Sequence, residues 1–158
     1  MKKLLLTVLV LVLAFSTIAA TLASVNSLKV GDTVSFWSGR AGVTFVDSRF
    51  SGAVTVTRKS TDKYDGPGMP TFVQKLLDVR LVDRKGNKVK YVIGPVYVYY
   101  KVTDKEMRLF DTEGLGIWYF DSWKQEWTKC ETFEVGNGKN GHELACRIRV
   151  FGLYGLGY

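Results

Sequence analysis

A chain of 158 residues with 22 Lys+Arg, 15 Asp+Glu, one His and two Cys is long enough for one domain with a real core and too poor in Cys for a disulfide-dense miniprotein. Its apolar fraction of 46% excludes a disordered charged tail, and its single His excludes His-rich metal chemistry. The net charge of +7 raises the question of an anionic partner.

Lys2 and Lys3 precede residues 4–15, apolar at every position but Thr7, and small residues follow at Ser16, Thr17, Ala19, Ala20 and Ala23. That order defines residues 1–23 as a secretory signal peptide, with cleavage expected after Ala20 or Ala23. The run is shorter than the about 20 apolar residues of a membrane span. The alternative is an uncleaved anchor extended through residues 18–22, which would be the chain's one route to a membrane. No Cys lies near the cleavage zone, which excludes a lipoprotein anchor. Without the two leader lysines, 20 basic and 15 acidic side chains remain, an excess of +5.

Residues 24–158 hold 17 Val and three Ala, a ratio that favours strands, because β-branched residues fit a pleated surface and Ala is the best helix former. The first strands are expected over 33–37 and 42–46. Over 53–58, Val54 and Val56 alternate with Thr55 and Thr57. Residues 59–70, with Gly66, Pro67, Gly68 and Pro70, read as a long polar loop. Over 77–82, Leu77, Val79 and Leu81 share one face and Asp78 and Arg80 the other, and the turn 83–87 returns the chain into 88–93 as a hairpin.

Gly94-Pro95 opens the clearest strand, 96–102, in which Val96, Val98, Tyr100 and Val102 alternate with Tyr97, Tyr99 and Lys101. Thr103, with Glu106 three residues on, predicts a single capped helical turn within 103–110. Strand resumes over 116–121, and residues 121–125 turn it into 126–135. The strongest turn, 136–141, leads into 143–150, with Leu144, Cys146, Ile148 and Val150 inward and Arg147 and Arg149 outward; a last strand covers 153–158. Turn signals every 8 to 12 residues or so complete the expectation. The fold is all-β, a single antiparallel β-sandwich over residues 24–158 preceded by an N-terminal signal helix.

A hairpin centred on Gly138 pairs residues whose numbers sum to 276, which sets Cys130 opposite Cys146. Export supplies an oxidising compartment, and an even Cys count fits one structural disulfide. Closing a loop of this size stabilises by about 3 kcal/mol on the chain-entropy estimate. A zinc site would need further ligands, and a redox pair normally has Cys-x-x-Cys spacing.

The runs VRLVDRKGNKVKY, GPVYVYYKVTDKE, GIWYFDSWKQEWTKCETF and CRIRVFGLYGLG resemble the C-terminal β-sandwich modules of secreted bacterial surface proteins, loosely similar to ZU5-type domains. The resemblance spans about residues 77–157. It implies core and turn positions for Trp127, Phe151 and Tyr154, a surface-exposed role, and no catalytic residue.

His142 adjoins Gly141 in a turn and is expected to be solvated, without the buried carboxylate and nucleophile that a triad demands. Paired carboxylates for glycoside hydrolysis could be drawn from Asp104, Glu106, Asp111, Glu113, Asp121 and Glu126, but Lys105, Arg108 and Lys124 interleave with them as on a solvated face. Residues 111–114 offer oxygens to calcium without EF-hand spacing. The glycines at 152, 155 and 157 lack the following helix that a nucleotide loop needs. Basic clusters at Arg58-Lys59, Arg84-Lys85 with Lys88 and Lys90, and Arg147 with Arg149 would suit an anionic wall polymer or lipid headgroup, or simply guard edge strands; export argues against nucleic acid.

The stronger lead is aromatic. Trp37, Tyr97, Tyr99, Trp118 or Phe120, and Trp123 cannot all face one core, because neighbours in a strand point opposite ways. Exposed, they would form a stacking face for sugars or for another protein. Otherwise the 59–70 loop or the second sheet covers them. The expectation is therefore an exported, non-enzymatic β-sandwich, secreted or periplasmic and at the cell surface. It would act as a structural or interaction module toward a cell-wall polymer, a glycan or another envelope protein, with no cofactor, metal or nucleic acid. The alternative is a carbohydrate-binding module using Trp37, Tyr97, Tyr99, Trp118 and Trp123.

Overall fold

The computed structural model describes residues 23–25, 32–46, 52–64, 68–110, 113–138 and 141–158. Apart from Ala23, the expected signal peptide lies outside the described residues. In chain order the elements are β1 (Ala23–Val25), β2 (Thr33–Phe36), β3 (Ala41–Phe45), β4 (Gly52–Lys59), β5 (Leu76–Asp83), β6 (Lys88–Val89), β7 (Val96–Val102), the helical turn α1 (Asp104–Met107), β8 (Gly116–Asp121), β9 (Glu126–Lys129), β10 (Thr132–Gly138), β11 (Gly141–Ile148) and β12 (Leu153–Gly157). One sheet runs β1-β4-β5-β12-β8-β9 with β6 added to β5, and the other runs β10-β11-β7-β3-β2. The protein is all-β, as its composition predicts.

Period-two alternation builds the core between the two sheets. From the seven-stranded sheet come Val54 and Val56, Leu77, Val79 and Leu81, Ile117, and Tyr154 with Leu156; from the five-stranded sheet come Val43, Val98, Tyr100, Leu144 and Cys146. The buried Tyr100 hydroxyl donates to the Tyr154 carbonyl at 3.0 Å and ties the sheets together. Burial pushes that phenol well above its ordinary range.

The expected helical turn is present, and its capping box is complete. The Thr103 hydroxyl accepts from Glu106 N–H, and the Glu106 carboxylate accepts from Thr103 N–H. Arg40, in the β2–β3 turn, reaches the same carboxylate with one guanidinium nitrogen 2.5 and 2.6 Å from its two oxygens.

Three expectations need correction. The strand expected over 88–93 ends at Val89, and Tyr91 and Ile93 stand exposed beyond it; the one expected over 143–150 likewise ends at Ile148, and Val150, expected inward, is 52% exposed. The strand expected over 126–135 is two strands in two sheets, β9 at the edge of one and β10 at the edge of the other. The chain crosses at Cys130 and Glu131, where Cys130 N–H donates to the Ile117 carbonyl at 2.7 Å and the Thr132 hydroxyl accepts from Ile117 N–H at 2.8 Å. Those two bonds complete the β8 backbone at the point where its neighbour departs.

The third correction is the register of the C-terminal hairpin. Thr132, not Cys130, lies opposite Cys146, and Gly138 pairs with Gly141, with an irregularity between Glu134 and Gly136. The hairpin is thus centred between residues 139 and 140, and Cys130 reaches Cys146 from the crossing. The pair forms the disulfide, with Cα atoms 6.1 Å apart, and it fastens the crossing to β11.

Candidate binding site

The outward faces of the two sheets are built differently. On the seven-stranded sheet, Trp118, Phe120 and Trp127 point away from the main core, and Tyr64, Met69 and Phe72 pack over them beside Leu76 and Leu153. The Phe72 ring meets Trp127 at 4.5 Å, and the Trp127 indole N–H donates to the Tyr64 carbonyl at 3.3 Å. Gly155 makes room for this cover, since a Cβ there would strike the Phe72 ring. Of the segment expected as a loop over 59–70, Tyr64 and Met69 thus lie across these aromatics, joined by Phe72 just beyond it.

On the five-stranded sheet, Tyr97, Tyr99 and Lys101 point outward from β7. Tyr99 has Gly42 and Ala145 as its cross-strand neighbours and is 6% exposed. Small neighbours let the ring lie down; a Cβ on Gly42 would come within 2.9 Å of its Cε1 and hydroxyl. Desolvation first, then the Glu143 carboxylate, push the Tyr99 phenol up, while a hydrogen bond with Ser35 pulls it down. Lys101 Nζ sits 5.7 Å from the ring centroid.

Tyr97 is half-buried and meets Phe133 of β10 edge to face, with centroids 5.8 Å apart at 90°. Phe133 is 44% exposed. This corner opens into a cleft of about 630 Å³ lined by Tyr97, Tyr119, Lys129, Cys130, Glu131, Phe133, Arg147, Ile148, Arg149, Val150 and Tyr154. It exists because β10 begins at Thr132, opposite Cys146, so the end of β11 from Arg147 onward has β7 on one side and no β10 partner on the other. Lys129 turns its ammonium to the Gly114 carbonyl at 2.7 Å. Arg147 and Arg149 are exposed.

The five aromatics singled out by sequence therefore do not form one face. Trp37 sits in the β2–β3 turn with φ 49°, half-buried and edge-on to Phe36 at 6.4 Å. Trp118 is half-buried on the opposite sheet, its indole N–H donating to the Gly157 carbonyl at 3.1 Å. Trp123 is 93% exposed at the tip of the β8–β9 turn. Of the five, Tyr97 and Tyr99 share a sheet face. The partner that sequence reasoning missed is Phe133, whose outward placement depends on the sheet crossing at Cys130.

The acidic residues are engaged elsewhere. Glu106 holds Arg40, Glu126 pairs with Lys124 at 3.3 Å, and Asp121 Oδ1 accepts from Trp123 and Lys124 N–H. Asp111 lies outside the described residues. His142 is not simply solvated: its Nδ1 lies 2.7 Å from Glu134 and its Nε2 3.3 Å from Asp104, bridging the β10–β11 hairpin to α1. Asp78, buried on the outer face of β5, is held by Arg80 at 2.6 Å, beside a second cleft of about 370 Å³ that also includes Ser122 and Phe151.

Among the described residues, no group of three or more His, Cys, Asp or Glu side chains could hold a metal ion, and no helix is long and apolar enough to cross a membrane. No family model, curated protein or solved structure matches the chain.

Proposed function

We propose that the protein is an exported, non-enzymatic β-sandwich that serves as an interaction module of the cell envelope or extracellular space, binding through the Tyr97–Phe133 corner of its five-stranded sheet. One observation carries this reading. The chain folds a segment over the outward aromatics of one sheet, whereas Phe133 remains 44% exposed at the mouth of a cleft on the other. Aromatic and Arg side chains gathered in a concavity suit a partner surface. The Cys130–Cys146 disulfide supports an oxidising compartment, hence secretion or a periplasmic or cell-surface location. The ZU5-like resemblance over residues 77–157 supports the same surface role.

The test is a binding screen of the purified protein against glycans, cell-wall polymers and envelope proteins, repeated with Phe133→Ala and Trp123→Ala. Loss of a ligand with Phe133→Ala supports the reading, and the absence of any Phe133-dependent ligand overturns it. Trp123, 93% exposed at a hairpin tip, favours one second reading, a carbohydrate-binding module that stacks sugars on that indole. Glycan binding lost with Trp123→Ala and kept with Phe133→Ala selects that alternative.

A further inference from the structure

The cleft beneath the sheet crossing combines two recognition elements that the corner alone does not. Its walls offer the Tyr97, Tyr119 and Phe133 rings, and its rim carries Arg147 and Arg149. Arg147 is the outward residue between Cys146 and Ile148, which are both buried, so strand alternation fixes its direction. Among the described residues, neither Arg147 nor Arg149 forms an ion pair. Glu131 is the one carboxylate in the lining, and Lys129 is drawn away to Gly114. The cleft therefore presents two unpaired guanidinium groups against one carboxylate, beside exposed aromatic surface. A planar guanidinium matches a sulfate, phosphate or carboxylate with two parallel hydrogen bonds, and an aromatic ring accepts the apolar face of a pyranose.

We infer that this cleft binds a saccharide bearing acidic groups, with Phe133 and Tyr97 against the sugar ring and Arg147 and Arg149 on the anion. The inference rests on the interaction-module reading and names the ligand class for the same corner. Glu131 repels such a ligand, so its neutralisation has the opposite sign to loss of either Arg.

The experiment is equilibrium binding of the purified protein to dextran sulfate, to neutral dextran and to inorganic polyphosphate. Dextran sulfate is expected to bind and neutral dextran to fail. Each of Arg147→Ala and Arg149→Ala should weaken binding about tenfold, the size of one charge-assisted hydrogen bond. Phe133→Ala should weaken dextran sulfate binding and leave polyphosphate unchanged, while Glu131→Gln should tighten both. The paired change Arg84→Ala with Lys85→Ala, at the exposed β5–β6 turn, should leave binding within about twofold, because neither side chain lines the cleft and exposed charges that do not touch the ligand are screened.

Equal losses from the Arg84/Lys85 and Arg147/Arg149 changes would overturn the inference in favour of diffuse charge. Polyphosphate binding as tight as dextran sulfate and insensitive to Phe133→Ala would overturn the saccharide. A neutral glycan or envelope protein that depends on Phe133 and ignores both arginines would overturn the inference and leave the interaction-module reading standing.

Discussion

Trp127 and Phe133 lie on one short run of chain, 126–135, that reads as a single strand, yet they end on opposite sheets at 7% and 44% exposure. Trp127 meets the Phe72 and Phe120 rings at 4.5 and 5.3 Å and gives its N–H to Tyr64. Among the described residues, Phe133 has one aromatic neighbour, Tyr97. An aromatic under a cover contributes its whole burial to stability, whereas one at an open corner keeps half its surface for another molecule. The same residue class is thus covered on one sheet and half-exposed on the other.

The largest expected effect breaks the covered face. Trp127→Ala removes the ring on which Phe72 rests and leaves the Tyr64 carbonyl without its donor, so the cost should be about 3–5 kcal/mol. Urea denaturation measures it directly. A cost below about 1 kcal/mol, the ordinary range for surface substitutions, would show that the cover contributes little and that the contrast between the faces is false.

Each face also depends on one glycine, and the two can be set against each other. In Gly155→Ala the new methyl meets Phe72 and, at 2.5 Å, Leu76, all side-chain atoms of the cover and its floor. In Gly42→Ala it meets the Val34 carbonyl as well as Tyr99, so strand β2 itself must shift. Both should destabilise by about 1–3 kcal/mol, the usual cost of overpacking, but with different reporters. Gly155→Ala should expose the indoles of Trp118 and Trp127 and shift tryptophan emission to the red. Gly42→Ala should lift Tyr99 out. Because desolvation raises that phenol, ultraviolet titration should then find it lower, closer to its ordinary 10.0. An unchanged tyrosine titration would mean that Gly42 does not govern the ring.

Most of this contrast was half-visible in the residue pattern. Alternation in 96–102 correctly separated Val96, Val98, Tyr100 and Val102 from Tyr97, Tyr99 and Lys101, because a long central strand states its two faces in its own composition. The run 126–135 could not be read the same way. No Gly or Pro interrupts it, so nothing local marks Cys130 as the crossing from one sheet to the other. That one ambiguity hid the outward placement of Phe133, misplaced the hairpin register and left the cleft unseen. The cysteines were still paired correctly, because a diagonal neighbour in the actual register lies within disulfide reach. His142 was misjudged for a related reason: its partners Asp104 and Glu134 come from different elements, a proximity that sequence spacing does not carry.

A smaller effect tests how the open sheet is held at its far end. Arg40, between β2 and β3, is bound to Glu106 of α1, and the Arg40 hydrogen bond, then those from Thr103, hold the Glu106 carboxyl below its ordinary 4.5 against the opposing effect of burial. A carboxyl lowered in the folded state contributes stability that is full above its unfolded value and is lost as the pH falls through the folded one. Stability should therefore decline below about pH 4.5. Glu106→Gln should remove about 1 kcal/mol at neutral pH, after discounting for the partial exposure of both groups, and should flatten the acid limb. An unchanged limb would place acid sensitivity elsewhere.

The smallest stability effect belongs to the residue on which the proposed binding depends most. Phe133→Ala gives up one edge-to-face contact and half a ring of burial, so its cost should be about 1 kcal/mol or less. A double-mutant cycle with Tyr97→Ala isolates the pair, and its coupling should fall near about 0.5 kcal/mol, because one ring is largely solvated. Set beside Trp127→Ala, this asymmetry is the quantitative form of the contrast between the faces. A Phe133→Ala cost equal to that of Trp127→Ala would make Phe133 a structural residue. A cost near zero together with lost binding would separate the ring's contribution to recognition from its contribution to the fold, which is what an aromatic at the mouth of a cleft requires.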